Sequence, residues 1–187
     1  MSFCFRESVG RRKSHLRPCR RFAFCDTGGA AVEFALIAPA FLALLAALFQ
    51  TVLVFFAGRV LDETTEQASR YILTGQAQKS NMSQGDFATW VCGKTFALFN
   101  CNNFMINAQS YSDFGSANTA VPTITFDKNG QISNSWNWSL GGSGDIVVVQ
   151  VMYLWPVVGG PLGFNLSNVG NGQRLLVSTA VFRTEPY

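Results

Sequence analysis

Residues 30–57 read AAVEFALIAPAFLALLAALFQTVLVFFA, an almost unbroken apolar run in which Glu33 is the only charge and Gln50 and Thr51 are the only other strongly polar side chains. A helix needs about 20 apolar residues to cross roughly 30 Å of hydrocarbon, so the pattern predicts one transmembrane helix. The run is longer than the apolar centre of a cleaved secretory signal, which spans about 7–15 residues. No second run of this length follows. The pattern then becomes amphipathic: Val60, Leu61, Thr64, Ala68, Tyr71 and Ile72 recur near a helical period between Asp62, Glu63, Glu66 and Arg70. Glu66 and Arg70 form an i,i+4 pair of favourable polarity. One long helix is therefore expected to run on to about Thr74, with Gly75 as its stop.

A second helix is expected to open at Ser83, an N-cap with an acidic residue three positions on, and to present Phe87, Trp90, Val91, Phe96 and Phe99 before ending near Asn100. Beyond it, FMINAQSYS, VPTITF, DIVVVQVMYLW and RLLVSTAVFRT are rich in β-branched and aromatic residues and are separated by Gly, Asn, Ser and Pro clusters. They predict three or four strands. Strands that follow helices without interleaving fit an α+β fold with an antiparallel sheet packed against helix. The segment PVVGGPLGFNLSNVGNGQ is a long loop, apolar in its first half. It suits a contact surface or a lid over its own core.

Charge adds an orientation. Charged residues make up only 13% of the chain, and Arg6, Arg11, Arg12, Lys13, Arg17, Arg20 and Arg21 all precede residue 22. Basic flanks stay in the cytoplasm, so residues 1–28 read as a cytoplasmic tail, 29–58 as the transmembrane helix and 59–187 as an exported domain, which in a bacterium means a periplasmic one. From Arg59 onward basic and acidic residues nearly balance, which argues against a nucleic-acid-binding surface.

Candidate chemistry is sparse. His15 is the only histidine and lies on the other side of the predicted membrane from the domain, so no Ser-His-Asp or Cys-His set is expected there. The exported carboxylates are scattered, and no enzymatic activity and no cofactor are expected. Cys4, Cys19, Cys25 and His15 lack the paired Cys-x-x-Cys spacing of a zinc site, so no metal is expected either. Cys92 and Cys101 fall in the exported part, where an oxidising compartment makes a disulfide the default.

With these segments in order, GGAAVEFALIAPAFLALLAALFQTVLVFFAGRVLDETTEQASRYILTGQAQ resembles the TadE-like family of the tight-adherence (Flp type IV) pilus system, and WVCGKTFALFNC, GDIVVVQVMYLWPV and STAVFRTEPY extend the resemblance. The resemblance implies a pilin-like architecture and a pseudopilin-like role, in which the apolar helix packs among other pilin helices and pilus-assembly proteins. It also implies a prepilin-peptidase-like site: Gly28, then Gly29 to Val32, then Glu33 and Phe34, with Phe34 where the pilin itself usually has tyrosine. On the residues alone, Glu33 equally suits the interfacial carboxylate of an ordinary anchor, because a charge deeper in lipid is costly. A membrane-anchored binding or adhesion domain acting outside a pilus is the alternative reading.

Overall fold

The computed structural model describes residues 29–95, 98–160 and 163–186. In chain order the elements are α1 (Gly29–Leu73), α2 (Gln76–Lys79), α3 (Gln84–Lys94), β1 (Phe104–Tyr111), β2 (Ile146–Pro156) and β3 (Gln173–Arg183). The fold is α+β with one candidate membrane helix and a three-stranded antiparallel sheet. Two compact units divide between Leu42 and Ala43.

In the first unit, residues 29–42 are helical and none is buried. In the second, α1 buries Val54, Ala57, Val60, Leu61, Thr64, Thr65, Ala68 and Ile72. These positions recur every three or four residues, the stripe a helix presents to one partner face. Thr64 and Thr65 are buried without loss because their hydroxyls donate to the carbonyls of Val60 and Leu61 at 2.7 and 2.8 Å. The helix stops where expected: Gly75 takes φ 72°, a left-handed conformation that suits glycine, and its amide donates to the Ile72 carbonyl at 2.9 Å. The one-turn helix α2 follows directly.

Ser83 caps α3 through a full capping box. Its hydroxyl accepts the Asp86 amide at 3.2 Å, and the Asp86 carboxylate accepts the Ser83 amide at 3.3 Å. The same carboxylate takes the Ser83 hydroxyl at 2.6 Å. Together these hold the Asp86 carboxyl below its ordinary value, the Ser83 side chain contributing most and its amide next. The helix ends at Lys94, earlier than the apolar period suggests. Thr95 turns to extended backbone, and its hydroxyl donates to the Cys92 carbonyl at 2.8 Å, competing with helix continuation. Phe96, expected on this helix, lies outside the described residues.

The sheet order is β1-β2-β3. Ala108 stands opposite Val149, which stands opposite Ala180. Val147, Val149, Val151 and Tyr153 of β2 point toward α1 and α3, where they meet Leu61, Ile72, Phe87 and Val91. The alternate residues Met152 and Leu154 point the other way, onto a second cluster with Met105, Leu175, Ile124, Phe126, Ile132 and Trp136. Residues 146–154 are thus buried on both faces, which accounts for the nearly continuous apolar run of β2.

The cover on the second face comes from residues 112–140, which include VPTITF. That stretch forms no ladder strand. It folds back on itself through a single bridge from Phe126 to Ile132 around a turn in which Asp127 accepts the amides of Asn129 and Gln131, both at 2.8 Å. Buried Gln150 fastens this segment to the sheet, donating to the Ala120 carbonyl and accepting from Asn107, each at 3.0 Å. The chain then passes the edge of β1, where Trp138 bridges Ala108, donates to the Met82 carbonyl at 3.0 Å and sets its ring 5.1 Å from Phe87 at a 50° tilt.

Candidate functional site: the apolar helix and its flanks

α1 is long and apolar enough to cross a membrane by length and composition. From Phe34 to Gly58 it carries no charged side chain. At about 1.5 Å per residue this stretch exceeds the roughly 30 Å of a hydrocarbon core. In the first unit Val32, Phe34, Leu36, Ile37 and Phe41 are exposed, Phe34 by 73%. In the second unit Leu44, Leu48, Phe49, Val52, Leu53, Phe55 and Phe56 are exposed in the same way. A water-facing helix would alternate polar and apolar faces. Between Phe34 and Gly58 the exposed side chains of this one include no charge and are mostly large and apolar, a surface suited to lipid or to other helices.

Of the site expected from sequence, Gly29, Glu33 and Phe34 stand on α1, and all three are exposed. Gly28 lies outside the described residues, as do Cys4, His15, Cys19, Cys25 and the basic residues before position 22. Glu33 is one helical turn beyond Gly29. Pro39 sits inside the helix and has no amide to offer the Ala35 carbonyl, a gap that transmembrane helices tolerate. Ala35, Ala38, Ala43, Ala46 and Ala47 lie on the same helix and are small enough for close approach of a neighbouring helix.

Cys92 and Cys101 are joined by a disulfide with Cα atoms 5.3 Å apart. It ties the last turn of α3 to the 3-10 turn Cys101–Asn103 that leads into β1. The closed loop delivers Phe99 into an aromatic cluster, edge-on to Tyr153 at 4.9 Å and to Trp155 at 5.7 Å, with Phe104 at 5.6 Å. The Asn100 amide donates to the Tyr153 hydroxyl at 3.2 Å, so the polar end of the tyrosine is used as well.

Two features escaped the sequence reading. One is a groove where the charge-free stretch of α1 ends, lined by Thr51, Val54, Phe55, Leu166 and Leu176 and by the charged Arg59, Asp62 and Arg174. Arg59 and Asp62 approach to 3.9 Å, and Arg174 donates to the Leu166 carbonyl at 3.0 Å. The other is Gln50, whose amide donates to the Val158 carbonyl at 2.8 Å. A lone amide in an apolar run signals that a partner is near, but nothing in the sequence names one 108 residues away. Among the described residues, no group of three or more His, Cys, Asp or Glu is placed to hold a metal ion.

The architecture defines a small α+β domain built on the end of a helix with membrane-crossing character. Over residues 28–70, which take in most of α1, the chain matches the family model described as TadE-like protein, the family its sequence resembles. No curated protein matches the chain, and no solved structure does.

Proposed function

We propose that the protein is a pseudopilin-like structural component of tight-adherence (Flp type IV) pilus assembly and has no enzymatic activity. It sits in the bacterial inner membrane with its basic tail in the cytoplasm and its α+β domain in the periplasm. The observation that carries this reading is α1 itself: TadE-like over residues 28–70, and free of charge from Phe34 to Gly58 with large apolar side chains exposed along that stretch. Seven basic residues before the apolar run support the orientation. The Cys92–Cys101 disulfide fits an oxidising compartment on the far side. Its partners are lipid, other pilin or pseudopilin helices, and a prepilin peptidase acting after Gly28.

Cleavage there leaves an α-amine on Gly29, positively charged below its pKa of roughly 8. Glu33, four residues on, lies beside that amine or reaches the amine of a neighbouring subunit, and the pairing offsets the cost of a carboxylate at the lipid boundary. Two variants test the proposal, read by intact mass of the membrane-extracted protein and a count of surface pili. Gly28→Val is expected to leave an uncut precursor, and Glu33→Gln to insert normally but reduce piliation. A mature protein that keeps residues 1–27, with pili unaffected by Glu33→Gln, would leave the chain as an anchored domain acting outside the filament.

A further inference from the structure

Resting on the reading of α1 as membrane-spanning, we propose that the segment 157–160, where the chain leaves β2, is a second membrane contact, with Val158 lying in the lipid of the leaflet from which α1 emerges.

The level of this segment along α1 carries the argument. Gln50 holds the Val158 carbonyl at 2.8 Å. The charge-free stretch continues past Gln50 to Gly58, and the first charged residue is Arg59, nine positions on. At 1.5 Å per residue the tether is about 13 Å deeper than Arg59. Around it α1 shows Phe49, Val52 and Leu53 on its surface. A loop fastened here is level with side chains that themselves require lipid.

The composition of the loop agrees. Residues 156–173 carry no charged side chain, and Val158 is 76% exposed, more than Phe49 beside its tether. Contact with hydrocarbon demands that backbone polar groups find partners within the protein. In this segment the Val158 carbonyl takes the Gln50 amide, and the Gly160 amide donates to the Phe164 carbonyl at 2.7 Å. The next cation after the loop, Arg174, lines the same groove as Arg59. Two arginines at one level above an apolar belt mark where phosphate head groups sit. In water the same arrangement would leave Val158 exposed with nothing gained. A second copy of the chain is the less favoured occupant, because the apolar surface continues from the loop onto the helix belt that lipid surrounds.

The full chain, with Cys4, Cys19 and Cys25 changed to serine and the Cys92–Cys101 disulfide kept, is reconstituted in vesicles of phosphatidylethanolamine and phosphatidylglycerol. A nitroxide is attached at Val158→Cys, at Leu44→Cys on α1, or at Phe114→Cys beyond the opposite end of the sheet. Collisions with oxygen, which partitions into lipid, are compared with those of a water-soluble nickel chelate. The label at 158 is expected to follow the one at 44, gaining oxygen and losing nickel access, while the label at 114 stays open to nickel. A label at 158 that behaves like 114 while 44 reports lipid overturns the loop contact and spares the spanning helix. A label at 158 closed to both reagents overturns it in favour of a protein partner. Nickel access at 44 itself refutes the spanning helix, and the loop contact with it.

Discussion

Opening the Cys92–Cys101 disulfide tests how much the domain depends on its staple. The two cysteines are 9 positions apart. For a loop of that size the chain-entropy relation gives about 2.6 kcal/mol at 25 °C, gained by restricting the unfolded chain. Domains are stable by only about 5–15 kcal/mol, so the loss is a large fraction of the whole. For a domain of this size it corresponds to a fall in Tm of roughly 5–10 °C. The side chains of Phe99, Phe104, Tyr153 and Trp155 supply the reporter, since their mutual packing gives a near-ultraviolet circular dichroism signal that vanishes on unfolding. Guanidinium unfolding of the full chain in detergent micelles is followed at these wavelengths for oxidised protein, reduced protein and the Cys92→Ala/Cys101→Ala double variant. Reduced protein is expected to lose about 2.6 kcal/mol relative to oxidised protein by the same relation. The double variant should lose slightly more, because Cys92 is almost buried and alanine leaves a small void. Coincident midpoints for oxidised and reduced chains would refute the reasoning.

Two further outcomes follow from the α3 side of the domain. Phe87 is fully buried between Trp90 and Trp138, so Phe87→Ala should cost about 3–5 kcal/mol in the same unfolding measurement, and a loss near zero would show that the helix is not seated on the sheet. Because the Asp86 carboxyl is held below its ordinary value by Ser83, its support of the α3 cap is complete above that value and is lost as pH falls through the lowered one; the Ser83 and Asp86 amide resonances should move together over that acid range, and Asp86→Asn should abolish the shared step.

Elements governed by local chemistry were legible in the residues. The length of α1, its stop at Gly75 and the capping box at Ser83 all depend on neighbours within four positions. The disulfide was legible because only two cysteines follow the apolar run. The end of α3 was not, since the apolar spacing runs on to Phe99. That residue instead serves the aromatic cluster of β2, and sequence spacing does not distinguish a helix face from a loop drawn back by a disulfide. VPTITF has the composition of a strand, yet residues 123–134 spend their hydrogen bonds on each other, with the Ser133 amide donating to Thr125 and Asn134 serving the Thr125 amide. Coverage of both sheet faces was hinted at by the unbroken run of β2 but not deduced. Of the candidate site, Glu33 and Phe34 were legible as residues on an apolar helix. The tether from Gln50 to Val158 was not, because it joins points separated by nearly the whole domain.

The way α1 ends bears on how the protein can be made. One of the carbonyls left unpaired at its C-terminus, that of Leu73, is met by the Glu185 amide at 3.0 Å, while Thr184 is pinned to Gly142 and Asp145. The partner that completes the first helix therefore arrives more than a hundred residues later, together with β3. A chain synthesised from its N-terminus has its apolar helix available for membrane insertion long before the sheet can close. On the proposed reading of α1 as a membrane anchor, anchoring comes first, and the domain is then assembled beside the bilayer from a chain already tethered to it. Such a sequence of events favours a slow, late closure dominated by distant contacts, with β2 unprotected on one side until residues 173–185 have emerged.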